Sequence, residues 1–146
     1  MSNFFLVKIK YFTIMEKGKQ KFVTKSIVFP AESYTEAEVR ATRYADNWAL
    51  CDYTIKSVKP FKVVDILTID SDIPLWYMAK IETTTLNERT GKEEHASFNI
   101  LTEATCFDNA IETTAKYIAE SVMDMRVLAI MQTDISDVAL SDEYKP

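Results

Sequence analysis

Glycine and histidine are nearly missing from this chain of 146 residues, which holds only Gly18, Gly91 and His95. Phosphate-cradling loops need several glycines ahead of a helix, and a nucleophile elbow needs glycine on both sides of a serine, so both are excluded. A histidine-based triad would have to use His95, which falls on a predicted strand with no catalytic pattern around it. Cys51, Cys106 and His95 stand singly rather than in the close-spaced pairs of zinc sites. Asp70-Ser71-Asp72 opens like a calcium loop but lacks the glycine and the distal glutamate. The expectation is therefore no metal, no cofactor and no enzymatic activity. The two cysteines are expected to be small buried residues in a reducing compartment rather than a disulfide.

Long apolar runs are absent too. None approaches the roughly 20 residues of a membrane helix, and residues 1–10 lack the basic start, apolar stretch and small-residue cleavage site of a signal peptide. A cytoplasmic protein with no membrane partner is expected. With 47% hydrophobic residues and only four prolines, the chain is too apolar to remain disordered.

Charge is unevenly spread within a formal net of −5. Residues 1–64 carry 11 Lys/Arg against 6 Asp/Glu, whereas residues 74–146 carry 6 against 13. One half can present a basic surface and the other an acidic one, an arrangement that would also suit head-to-tail self-association.

What organises the chain is an internal echo. Phe4-Phe5-Leu6-Val7-Lys8-Ile9-Lys10 returns in type and order as Trp76-Tyr77-Met78-Ala79-Lys80-Ile81-Glu82. At an offset of 72, and of 73 beyond the first hairpin turn, Gly18 maps onto Gly91, Ala31 onto Ala104, Tyr34 onto Phe107, Ala37 onto Ala110 and Tyr44 onto Tyr117.

Each copy predicts strand, strand, helix, strand. In the first copy, residues 3–14 alternate Phe5, Val7, Ile9 and Tyr11 on one side with Leu6, Lys8, Lys10 and Phe12 on the other. A turn around Gly18 returns the chain as a strand over about residues 21–31, ended by Pro30. Ser33-Tyr34-Thr35-Glu36 has the form of a capping box. It opens a helix whose Ala37, Ala41, Tyr44, Ala45 and Trp48 share a face. Residues 53–69, interrupted at Lys59-Pro60, are expected either as one long strand with a bulge or as two short ones, one bent strand being favoured.

The second copy predicts a hairpin tip at residues 87–92, a returning strand over 93–103, a helix over 108–123 and a last strand over 127–132. The buried stripe of that helix should be Ala110, Ile111, Thr114, Tyr117, Ile118, Ser121, Val122 and Met125. The expected organisation is a first repeat at 1–69, a linker at 70–75, a second repeat at 76–133 and an acidic C-terminal tail at 134–146. The fold class is α+β, with two helices packed on antiparallel sheet. The two units either share one combined sheet or form two lobes.

Functionally, the decoration of the first copy stands out. Lys8, Lys10 and Phe12 share a strand face, Lys19 sits by the hairpin tip, and Lys21 and Lys25 lie on the returning strand. If Lys8, Lys10, Lys21 and Lys25 face the same way, they form a basic platform bearing an aromatic. That combination tracks phosphates and stacks bases in single-stranded nucleic-acid binders. Lysine also protects strand edges from aggregation. Trp76 is a further candidate for stacking, with Phe12 and Phe61, whereas Phe5, Tyr11, Phe22, Tyr44, Trp48 and Tyr117 are better placed in the core. The acidic tail, with apolar residues interspersed, is the kind of segment that recruits a host or phage protein. A homo-oligomer is the other partner to expect, and a small molecule held between lobes is a third possibility for function.

The Lys-x-Lys strand, the Gly-Lys turn, the Ser-Tyr-Thr-Glu-Ala helix start and the second opening Trp-Tyr-x-Ala-Lys before Thr-Gly-Lys-Glu together resemble a family of small proteins. These come from Bacteroidota and their phages, including crAss-like phages, and carry a domain of unknown function. The resemblance covers almost the whole chain and implies a phage or mobile-element origin and an intracellular life, in a host cell or packaged in a virion. It transfers no catalytic residues. Cys106-Phe107-Asp108-Asn109 departs from the usual Ser-x-x-Glu-Ala helix start. The resulting expectation is a phage-type single-stranded DNA binding protein, with a non-enzymatic protein-binding module as the alternative.

Overall fold

The computed structural model describes residues 3–14, 18–48, 50–72 and 74–140, all but the side chain of Cys51. The expected turn residues 15–17 and the tail from 141 onward lie outside the described residues. The elements run β1 (Phe4–Ile14), β2 (Gln20–Pro30), α1 (Tyr34–Asn47), β3 (Cys51–Phe61), β4 (Asp65–Leu67), β5 (Leu75–Leu86), β6 (Glu93–Ala104), α2 (Phe107–Ala119), β7 (Asp124–Gln132) and β8 (Ile135–Val138). The fold is α+β, and the strands form two four-stranded sheets rather than one combined sheet, ordered β3-β1-β2-β8 and β7-β5-β6-β4.

The compact units do not follow the repeat boundaries. Among the described residues, one takes the chain up to Lys62 together with residues 135–140, and the other is Val63–Asp134. Residues 53–69 are not a single strand. β3 ends at Phe61, and β4 then pairs in parallel with β6 of the second unit. Pro60 is tolerated inside β3 because that strand is an edge, bonded only to β1. The start of the expected acidic tail is likewise a strand, β8, parallel to β2. Each sheet thus takes its fourth strand from the segment that follows the other unit's helix and third strand.

Register repeats as well as order. Phe5 faces Phe29 in the first sheet, and their offset counterparts Tyr77 and Thr102 face each other in the second. The β1/β3 pairing shifts by one residue between Lys8 and Ile9, and the β5/β7 pairing shifts between Lys80 and Ile81, the same position. These coincidences are compatible with an internal duplication.

Alternation puts the apolar residues where the periodicity requires. Val7, Ile9, Ile27 and Phe29 pack with Ala41 and Tyr44 of α1. Ala79, Ile81 and Ile100 form the corresponding core under Tyr117 and Ile118 of α2. Burying each Ile or Phe contributes about 1.5 to 3 kcal/mol. The alanines of α1 leave no bulk to hold the helix off its sheet.

Both helix starts follow the capping logic, with one substitution. The Ser33 hydroxyl accepts from the Glu36 amide at 3.1 Å, and the Glu36 carboxylate reaches back to the Glu32 amide at 2.9 Å, one residue earlier than in a standard capping box. In α2 the N-cap is Cys106, which makes no side-chain cap bond, while Asn109 accepts from the Thr105 amide at 3.0 Å. Cys106 is a free, exposed thiol rather than a buried one.

α2 is shorter than its apolar pattern. The Ser121 amide bonds the Ile118 carbonyl, and the Ser121 hydroxyl takes the Met123 amide at 3.1 Å, turning the chain toward β7. Val122 is consequently exposed, as is Ile111, so neither belongs to the buried stripe. Trp48 caps α1 and is also exposed.

Candidate nucleic-acid interface

Residues paired directly across two strands share a face, so the hairpin register decides which lysines stand together. Lys8 pairs with Ser26, Lys10 with Thr24 and Phe12 with Phe22, which places all six on the face of the sheet away from α1. Lys25 pairs with Ile9 and Lys21 with Thr13, so both belong to the α1 side. The expected platform of four lysines is therefore divided between two faces. Lys25 directs its ammonium over the Tyr11 ring, 5.8 Å from the centroid. Lys19 precedes β2 and is exposed beside Gly18.

Trp76 is also displaced from the proposed surface. It is buried within the second unit, and its indole N–H has no hydrogen-bond partner among the described residues. A buried ring offers no face to a base. The Thr133 amide and hydroxyl both donate to the Trp76 carbonyl, at 2.8 and 2.7 Å, so this end of β5 is held on its backbone too.

On the open face Phe22, expected in the core, is 52% exposed. Lys10 Nζ lies 4.8 Å from its centroid, and Phe12 meets it edge-on at 5.2 Å and 65°. A cation over a ring attracts its quadrupole by about 0.5 to 1 kcal/mol at exposed sites. β3 extends the face, since Lys59 pairs opposite Leu6, Ser57 opposite Lys8 and Thr54 opposite Lys10. Lys8 and Lys59 are exposed and Lys10 half-buried. None of the residues paired with β1 on this face is a carboxylate. Lys59 and Phe22 are the members sequence reasoning missed. Closure of the hairpin at the Ile14–Gln20 pair is the signal that brings Phe22 beside Phe12.

The second sheet shows what the same positions become without this decoration. Glu82, Thr84 and His95 stand where Lys10, Phe12 and Phe22 stand in the first. Glu82 accepts from Arg126 Nε at 2.8 Å and lies 3.7 Å from His95 Nδ1, which is 3.1 Å from the Thr84 hydroxyl. Arg126 is well exposed, so the pair contributes little to stability. The cluster satisfies itself and offers neither a free cation row nor an aromatic.

Among the described residues no group of three or more His, Cys, Asp or Glu is placed to hold a metal ion, and no helix is long and apolar enough to cross a membrane.

Fold and register together define an α+β protein of two four-stranded sheets, each carrying one helix. The chain belongs to the family described as Domain of unknown function (DUF4494), whose model matches residues 3–141. No curated protein and no solved structure matches the chain.

Proposed function

We propose that this is a phage-type, non-enzymatic single-stranded DNA binding protein acting in the cytoplasm of a bacterial host or carried in a virion. The observation that carries this is the outer face of the first sheet. There Lys8 and Lys10 stand beside the Phe12–Phe22 pair, and no paired position is acidic. Ammonium groups release counterions from phosphates, and exposed rings stack bases irrespective of sequence. The second unit, with Glu82 in place of Lys10, supports rather than binds.

Binding of unstructured DNA and RNA single strands and of duplex DNA, measured across a salt titration, tests the proposal. Single-stranded DNA should bind best, with affinity falling steeply as salt rises. The double substitution Lys8→Glu and Lys10→Glu should abolish binding, while Lys21→Glu with Lys25→Glu, on the other face, should preserve most of it. Absence of binding at low salt, or tighter binding of RNA, would overturn the assignment.

One observation favours a protein partner as the second reading. β7 is an edge strand with Leu128 and Met131 exposed, a template for strand addition by another chain or a second copy. The acidic tail gives this less support than its composition promises, because Asp137 is already bonded to Tyr44.

A further inference from the structure

Resting on the nucleic-acid reading above, we infer that the single strand crosses the first sheet on a diagonal track, from Lys59 over Lys8 and Lys10 to a base stacked at Phe22. Three observations support it. Lys59 belongs to β3 at the level of Leu6, Lys8 and Lys10 follow on β1, and Phe22 closes the row on β2 at the level of Phe12. The cations therefore advance two residues at a time, a step of about 6.8 Å along a strand, which suits successive phosphates of an extended strand. The row also ends on Phe22, the one exposed ring of this face among the described residues, whose partner Phe12 braces it from the edge.

The other end of the face is closed. Ser26 and Val28, which share it, are buried, so the track cannot run straight along β2 and must leave over β3 through Lys59. Ser57 and Thr54 flank the row as neutral donors on β3. The site therefore holds three phosphates and one base. Its ligand is single-stranded and unstructured, because a duplex keeps its bases stacked internally and away from Phe22.

The experiment is anisotropy of a labelled oligothymidylate against salt, on the full chain and on single variants checked for unchanged thermal unfolding. Three phosphate contacts give a slope of log K against log salt of about −2. Each of Lys59→Ala, Lys8→Ala and Lys10→Ala should make it shallower by about 0.7. Phe22→Leu keeps apolar volume but removes the ring. It should weaken binding by about 5- to 150-fold with the slope unchanged. Lys21→Ala and Lys25→Ala should leave the slope as it is. If the parent binds but the slope answers to Lys21 and Lys25 rather than to Lys59 and Lys8, the track is wrong while the nucleic-acid reading stands. If the parent does not bind, both fall.

Discussion

The Tyr44 hydroxyl donates to Asp137 Oδ2 at 2.8 Å, joining α1 to a strand 93 residues further along the chain. The offset counterparts Tyr117 and Asp65 also stand together, near enough for the carboxylate to raise the phenol's pKa. Each aspartate also accepts from the next amide, Val138 N to Asp137 Oδ1 at 2.8 Å and Ile66 N to Asp65 Oδ1 at 2.9 Å. A helix tyrosine thus holds the fourth strand of each sheet, and the strand it holds comes from beyond the other repeat.

Removing one of these hydroxyls should cost stability without disturbing the apolar ring. Tyr44→Phe is expected to lose about 1 to 2 kcal/mol, since the bond is to a charged, partly buried acceptor. Tyr117→Phe should lose less, because Asp65 is exposed. Urea midpoints at constant slope would measure both.

Two phenols, Tyr117 and Tyr53, set an alkaline limit. Burial, then the charge of and bond to Asp65, hold the Tyr117 pKa above 10.0, and burial followed by the Asp46 bond at 3.1 Å does so for Tyr53. Below the unfolded value of about 10 both states keep the proton and the contribution is complete. Above it the unfolded chain ionises first, so stability should fall as pH rises toward the folded values. The double variant Tyr53→Phe and Tyr117→Phe should show a shallower alkaline decline in unfolding free energy.

Because β4 belongs to the second unit, a fragment of residues 63–134 contains all four strands and the helix of its sheet. It should give cooperative thermal unfolding, whereas a fragment cut at the repeat boundaries, residues 76–133, lacks β4 and should be much less stable. Circular dichroism melts of the two decide this. Equal stability would mean that β4 contributes nothing.

The missing cap of α2 is correctable. Cys106 sits in the extended N-cap conformation with no side-chain cap bond, its sulfur accepting only from the Thr105 hydroxyl at 3.9 Å, at the position Ser33 occupies in α1. Cys106→Ser should stabilise by about 0.5 to 1 kcal/mol, read as a rise in melting temperature.

The two glycines should be intolerant for backbone reasons alone. Gly18 and Gly91 have φ of 73° and 71°, and an added Cβ would meet nothing within 4 Å. Either Gly→Ala change should cost about 1 kcal/mol, in the range of the left-handed penalty for an L side chain, and a chemical denaturation series would measure it.

Much of this protein follows from local pattern. Alternation at Phe5, Val7 and Ile9, the capping residues Ser33 and Glu36, and the glycines at the turns act through neighbouring backbone, so they specify strands, a helix start and hairpins wherever they occur. The echo of Phe4–Lys10 in Trp76–Glu82 likewise foretold two matching halves and the divergence of Lys10 from Glu82. Which lysines stand together depended on the pairing of Ile9 with Lys25, and that register is set by how the hairpin closes. The destinations of β4 and β8 depended on long-range pairing. No short stretch signals that Asp65 will lie beside Ile100 or Asp137 beside Ile27, because three or four residues of parallel edge strand carry too little pattern of their own. Those placements, and the burial of Trp76, were decided only when the sheets assembled.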